Sequence, residues 1–513
     1  MINKRSLMAL AVAPLIEASA QQGVYADRRP NIVLFMVDDM GWQDTSLPFW
    51  VGKTPLNRRY HTPNMERLAS DGMMFTQAYA CSVSSPSRVS LMSGMNAARH
   101  RVTNWTLEKD ASTDRKSPVL DFPAWNVNGI CQVDNIPYTY CITSLPQLLK
   151  DAGYHTIHCG KAHWGAVDTP GENPHHFGFE VNIAGHAGGG VASYLGTNNF
   201  GNRTDGKPSP LQAVPGLKEY WGKDIFLTEA LTLEALKALD KAKNLGQPFY
   251  LYLSHYAVHI PIDRDKRFYS KYLEAGLSEK EAAYAALLEG MDKSLGDVLD
   301  WLEKNGEDKN TVIIFMSDNG GFSTDTAWRD PPLHTQNAPL NSGKGSAYEG
   351  GIRVPMIVKW PGTVKPGTTC GSYLIIEDFF PTILEMAGIR NYKTVQPIDG
   401  KSFVPLLKGT GDPSKGRNLY WNYPNLWGNE GPGIGPTCMI RSGDWKLIYY
   451  YQTGEKELFN IRNDIGEKQN LAAQHPAIVK KLSKDLGQYL RKVKAQRPTF
   501  KSTGKSCPWP DEV

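Results

Sequence analysis

The sequence predicts an α/β protein: a large, mostly parallel sheet sandwiched by helices, then a smaller antiparallel sheet with one helix. Three observations predict it. Runs such as NIVLFMVDD (31–39), PFYLYLSHY (248–256) and TVIIFMSDNGG (311–321) are too evenly apolar to have one face in water, the pattern of strands covered on both sides. Amphipathic helical stretches alternate with these runs, as a parallel sheet requires of its crossovers. Polar residues then collect at the strand ends: Asp38 and Asp39, His255 and His259, Asp318 and Asn319. Open parallel sheets bind ligands at that edge.

The chain opens with MINKRSLMALAVAPLIEASA, where Lys4 and Arg5 precede a short apolar stretch and Ala18-Ser19-Ala20. That is the layout of a secretory signal over 1–20, so an exported protein is expected. A catalytic α/β domain is expected over 28–409 and a C-terminal α+β subdomain over 416–513.

TPNMERLASDG (62–72) reads as a helix with Pro63 near its start and Gly72 past its end. In SSPSRVSLMSG (84–94), Pro86 discourages helical geometry at Ser85, which puts the helix from Ser87. Val89, Leu91 and Met92 form its apolar stripe and Gly94 closes it. Ser84 then lies beside a helix N-terminus, where N–H groups and the dipole favour negative charge. Arg88 suits a tetrahedral oxyanion.

TSLPQLLKDAG (143–153) is a helix with Ser144 as N-cap, and YHTIHCG (154–160) is the strand after it. Segments 227–246 and 279–306 are longer amphipathic helices, each followed by a strand. The Gly-, Asn- and Pro-rich segment 184–222 is expected to form loops near the site. RNLYWNYPN (417–425), TCMIRSGDWKLIYYY (437–451) and KELFNI (456–461) are short aromatic strands, and 472–496 is the closing helix.

Composition narrows the function. Apolar content of 41% and charged content of 21% are ordinary for a globular chain of 513 residues. A net charge of +4 argues against a nucleic-acid binder, and no internal run reaches membrane-spanning length. Seven cysteines form no metal-spaced cluster. In an exported protein one or two disulfides are expected, with Cys131 and Cys141 near enough in sequence to pair.

Asp38, Asp39, Asp318 and Asn319 are hard oxygen donors, which select Ca²⁺ or Mg²⁺ over zinc. Lys161 and His163 in GKAHWG, His259 in YAVHIP and Lys344 in SGKGSAYEGGIRVP add nitrogen groups. With Arg88 they supply the cationic lining that an anionic ester and its transition state require.

These residues carry a family resemblance. Ser84-Ser85-Pro86-Ser87-Arg88, with Leu91 and Ser93-Gly94, resembles the sulfatase signature Cys/Ser-x-Pro-Ser-Arg-x-x-Leu-x-Thr/Ser-Gly. The chain is similar to the bacterial serine-type sulfatases of the alkaline-phosphatase-like superfamily. PNIVLFMVDDMGWQD, TPNMERLASDGMMFTQAYA, SDNGGF, KGSAYEGGIRVP, EDFFPTILEMAG, DWKLIYY and ELFNIRNDIGEKQNLA resemble its other blocks, in order, from about Pro30 to about Ala473.

The resemblance implies that a maturase reading the Pro-x-Arg context oxidises Ser84 to formylglycine. One hydroxyl of the hydrated aldehyde would attack sulfur and the other would expel sulfate. It implies one Ca²⁺ held by Asp38, Asp39, Asp318 and Asn319 and brought onto the position 84 hydroxyl, with Asp318 able to take its proton. Arg88 would orient the hydrate, Lys161 and Lys344 would bind sulfate oxygens, and His163 would assist breakdown of the enzyme–sulfate intermediate. His259 would protonate the leaving oxygen, a role Lys344 can share; spacing to Pro261 favours His259 over His255.

The family's Lys-x-His is often followed by Leu-Gly, whereas this chain reads AHWG. Residues expected to read the substrate are Trp105, His175, His176, His186, His334 and Asn337. The expected substrate is a sulfated saccharide, of galactose or N-acetylgalactosamine, met in the periplasm or outside a bacterium. The alternatives are a phosphate-ester hydrolase of the same superfamily and a catalytically silent glycan binder.

Overall fold

The computed structural model describes residues 29–513, so the signal reading of 1–20 lies outside the described residues. Nine strands build the main sheet: Asn31–Val37 (β1), Met73–Tyr79 (β2), His155–Gly160 (β3), Val181–Ile183 (β4), Phe249–Ser254 (β5), Thr311–Ser317 (β6), Arg353–Lys359 (β7), Thr368–Cys370 (β8) and Leu374–Ile375 (β9). Their order is β8-β2-β7-β6-β1-β5-β3-β4, with β9 also on β2. Every pairing is parallel except those of β7, which runs against both β2 and β6.

Alternation along β1 shows why its sequence is apolar throughout. Ile32, Leu34 and Met36 enter one core, while Val33, Phe35 and Val37 enter the other. The second core is closed by helices Pro63–Asp71 (α1), Leu227–Leu245 (α4) and Glu279–Lys304 (α5). The first is closed by Ser84–Ser93 (α2), Leu145–Asp151 (α3) and Phe379–Met386 (α6).

α2 corrects the sequence reading twice. It starts at Ser84, not Ser87, because Pro86 falls in the first turn, where its missing N–H leaves no helical bond unmade. It also carries no exposed face: all ten of its residues are buried, Arg88 included. Gly94 closes it in the left-handed conformation at φ 69°.

Asn418–Tyr423 (β10), Thr437–Ser442 (β11), Trp445–Tyr450 (β12) and Lys456–Asn460 (β13) form an antiparallel sheet in sequence order. Trp421, Met439, Ile448 and Phe459 pack into the first core. The opposite face, with Ile440, Leu447 and Leu458, is covered by Leu482, Leu486 and Leu490 of Pro476–Lys492 (α7). This sheet also grips the approach to Ser84: the Trp421 indole N–H donates to the Ala80 carbonyl at 2.9 Å, and Ser82 N–H donates to the Tyr423 hydroxyl at 2.8 Å.

The expected disulfides do not form: all seven cysteines are free thiols. Cys131 and Cys141 sit opposite each other in a short parallel pairing, but the Cys131 thiol is directed to the Val133 carbonyl at 3.0 Å.

Lys446 ties the two sheets together from a fully buried position, 3.1 Å from Glu349 and 2.8 Å from Glu467. Lys446→Met strands two buried carboxylates and is expected to destabilise the fold by about 3–5 kcal/mol, read as a lowered urea midpoint.

Candidate active site

The topology delivers polar side chains to one edge. Asp38 and Asp39 follow β1, Lys161 follows β3, Asp318 and Asn319 follow β6, and β5 runs into the turn bearing His259. Because β7 is reversed, the segment before it, with Lys344, reaches the same edge. β2 leads through 80–83 into α2 and sets Ser84 there.

Ser84 Oγ is the meeting point. It lies 3.1 Å from Asp38 Oδ1, 3.1 Å from Asn319 Oδ1 and 3.1 Å from the Lys161 ammonium. Asp38, Asp39 and Asp318 are fully buried and offer carboxylate oxygens within 4.8 Å of one another. Each has a cation. Lys161 Nζ is 2.6 Å from Asp38 Oδ2, Lys344 Nζ is 2.7 Å from Asp39 Oδ1, and Arg88 Nε is 2.9 Å from Asp318 Oδ2. Arg88 Nη1 also donates to Ser254 Oγ at 2.6 Å, while Nη2 has no hydrogen-bond partner. Asp39 takes the left-handed conformation at φ 60°, and its N–H donates to Asp318 Oδ1 at 3.2 Å.

Burial and charge pull the titrations in opposite directions. Burial alone would raise the Asp39 carboxyl, but Lys344 beside it holds it below its ordinary value. Burial pushes the Lys161 ammonium down to about 8 despite Asp38, whereas Asp39 and Asp38 outweigh burial at Lys344 and raise it. His163 and His259 are both depressed, by burial first and then by Lys161 and Lys344 respectively.

The histidines are oriented by their other ring nitrogens. His163 donates from Nε2 to the Thr106 carbonyl at 2.9 Å, which leaves Nδ1 buried and unpartnered. His259 donates from Nδ1 to the Ile260 carbonyl at 2.7 Å, and its Nε2 lies 3.8 Å from Asp39 Oδ2. His255 turns away to Ser294 Oγ at 2.8 Å. Backbone lies flat against both active-site rings: a Cβ on Gly189 would fall 2.2 Å from His163 Cε1, and one on Gly190 would fall 3.0 Å from His259 Cε1.

A cleft of roughly 600 Å³ opens over this floor, lined by Ser84, His163, His259 and Lys344. Trp105 lines it too. The other residues expected to read substrate do not. His175 and His176 sit on a short turn and bond the carbonyls of Phe179 and Pro170. His186 bonds the Gly188 N–H. Asn337 is buried and donates to the Gly321 and Ser342 carbonyls, bracing loops, and His334 faces Ser342 at 3.5 Å. The sequence reading missed Trp328, Trp427, Asp325, Gln212 and Asn429, all on the cleft. Of these, Gln212 alone lies in the loop-rich segment 184–222 that the sequence places near the site.

The sulfatase family model matches residues 30–389, and a model described as the N-sulphoglucosamine sulphohydrolase C-terminal region matches 343–496. A sulfatase of Formosa agariphila is 31% identical, over 99% of this chain and 97% of its own. The N-acetylgalactosamine-6-sulfatase of Mus musculus is 30% identical, over 79% and 70%. The solved structure of Ps i-CgsB in complex with k-i-k-neocarrahexaose is 27% identical with a TM-score of 0.71, covering 90% of this chain and 93% of that one. The chain belongs to the sulfatase family and is a sulfuric ester hydrolase, which sets aside the phosphoesterase and the silent binder.

Gly189→Ala should displace His163 and lower turnover of a sulfate ester by about 10²-fold, the effect of a misplacement near 1 Å. Gly190→Ala, with a looser contact, should lose less; steady-state kcat on folded variants checks the order.

Proposed function

We propose that this sulfatase desulfates a saccharide of the galactose or N-acetylgalactosamine type, with Ser84 oxidised to formylglycine and one calcium ion held by Asp38, Asp39, Asp318 and Asn319. The observation that carries the reading is the convergence on Ser84 Oγ of Asp38, Asn319 and Lys161, each at 3.1 Å, at the floor of the cleft.

The donor set suits a hard cation. Its ligand atoms are carboxylate and amide oxygens, and no thiol or imidazole stands among them. Ser84 has one hydroxyl hydrogen yet two acceptor oxygens at bonding distance, a conflict that a bound cation relieves. Asn319 Nδ2 is held by Asp39 Oδ1 and the Gly320 carbonyl, which leaves Oδ1 for the cluster. Calcium held by Asp38, Asp39, Asp318 and Asn319 would supply Lewis acidity toward a sulfate oxygen and would lower the pKa of a hydroxyl at position 84. Formylglycine at position 84 would supply, as its hydrate, two geminal hydroxyls: one a nucleophile toward sulfur, the other the group whose deprotonation would release sulfate.

The chain's own residues do the rest. Three carboxylates and three cations cancel, so a divalent ion leaves the floor positive toward a sulfate monoester. Lys161 and Lys344 donate to sulfate oxygens, and Arg88 keeps Nη2 to orient position 84. His163 Nδ1 accepts a proton as sulfate leaves, its ring held by the Thr106 carbonyl. His259 delivers a proton from Nε2 to the departing alcohol in its imidazolium form, with Nδ1–H still on the Ile260 carbonyl, and the Lys344 ammonium beside the same carboxylate is the other acid.

The saccharide reading follows the relatives: the mouse protein is named for N-acetylgalactosamine-6-sulfate and Ps i-CgsB is seen with a neocarrahexaose. The secretory layout of 1–20 supports export to the periplasm or medium. Ser84 and Arg88 are buried in α2, so a maturase has to act before the chain folds.

N-acetylgalactosamine 6-sulfate should release sulfate, measured by ion chromatography, and Ser84→Ala should lower that rate by about 10³-fold or more. Ca²⁺ at about 100 times its Kd should stabilise the protein by ~2.7 kcal/mol. That gain appears as a raised thermal midpoint, which EGTA reverses together with activity; a midpoint indifferent to Ca²⁺ and EGTA refutes the metal assignment.

A further inference from the structure

We infer that the cleft above Ser84 is a stacking subsite for an uncharged sugar, built to accept one sulfate and to reject a second on the neighbouring ring. This rests on the saccharide-sulfatase reading and deepens it.

Three half-buried tryptophans from separate parts of the chain line the cleft: Trp105, Trp328 and Trp427. Each is fixed from behind. The Trp427 indole lies on Gly345, where a Cβ would come within 2.0 Å of the ring, and Gly345 adjoins Lys344. Trp328 sits on a turn whose N–H bonds return to Asp325 and whose Arg329 is buried against Glu281 at 3.1 Å, with its guanidinium 3.8 Å from the Tyr284 ring centre. Trp105 is one residue before Thr106, the anchor of His163. Asn429 donates to Thr324 and so joins the Trp427 loop to the Asp325 loop. Rigid aromatic walls with a few placed polar groups hold the apolar faces of pyranose rings.

The charge pattern limits what can be attached. The titratable and cationic lining groups are His163, His259 and Lys344, all at the sulfate floor. Beyond them, among the described residues, the one charged lining residue is Asp325. Its Oδ1 accepts the Ala327 N–H at 2.8 Å, and its other oxygen has no partner among the described residues. A carboxylate there accepts sugar hydroxyls, as the Gln212 and Asn429 amides also can. It repels a second sulfate: Lys280 reaches the neighbouring Thr326 carbonyl but does not line the cleft, and among the described residues Lys344 is the one Lys or Arg that does.

The test compares three substrates: 4-nitrophenyl sulfate, a disaccharide ending in N-acetylgalactosamine 6-sulfate, and the same disaccharide sulfated also on its second ring. Wild type should prefer the singly sulfated disaccharide over the doubly sulfated one by ten-fold or more in kcat/KM. Trp328→Ala and Trp427→Ala should each lower the disaccharide-to-aryl ratio of kcat/KM by ten-fold or more, chiefly through KM, and Asp325→Asn should narrow the preference against the second sulfate. Equal losses on aryl and sugar substrates, or equal use of both disaccharides by wild type, overturn the inference. Should no ester turn over, the formylglycine reading fails separately. Tryptophan quenching of Ser84→Ala by the singly sulfated disaccharide, weaker for the doubly sulfated one, still upholds the subsite, and no quenching rejects it.

Discussion

Three carboxylates buried within 4.8 Å of one another are the constraint on which the rest of the molecule depends. Taking one such ion out of water without a partner has an effective cost of several kcal/mol, so the cluster exists only with its cations in place. Those cations come from α2, from the end of β3 and from the loop before β7, so no local segment can assemble it. The reversed strand β7 follows from the same need: run parallel, it would carry Lys344 to the opposite edge of the sheet. A charge network that closes only in the finished fold is also preorganised, which is what stabilising charge on a transferring sulfuryl group requires.

The second sheet serves the first. Trp421 and Tyr423 hold the backbone at Ala80 and Ser82, two to four residues before Ser84, and Lys446 locks the sheet against Glu349. The C-terminal region is therefore part of the apparatus that sets Ser84 over Asp38. It also supplies Trp427 and Asn429 to the wall of the cleft, beside Trp105 and Trp328 from the main domain. The glycines at 189 and 190 complete the frame by letting backbone pack where any side chain would push the imidazoles aside.

The floor was legible in the sequence and the wall was not. Asp38-Asp39 and Asp318-Asn319 stand directly after apolar runs, and a parallel sheet brings such ends together whatever lies between them. Ser84 and Arg88 were marked by the Pro86 context, although Pro86 was read as delaying a helix whose first turn it occupies. Trp328 and Trp427 follow no periodicity; they share a cleft because β10–β11 and β6–β7 connections meet in space, which a linear pattern does not encode. His175, His176, His334 and Asn337 were marked by residue type alone, and in the fold a ring or amide nitrogen of each bonds a nearby backbone or side-chain oxygen. Cys131 and Cys141 show the same limit from the other side: they are neighbours in space, yet remain free thiols.

The central claim is that Ser84 works as an aldehyde. Mass spectrometry of the tryptic peptide 68–88, from active protein made in a host with a formylglycine maturase, tests it most directly. The account predicts a peptide lighter by two hydrogens than the serine form, in a proportion that tracks specific activity. A fully active preparation whose residue 84 is unmodified serine would contradict it.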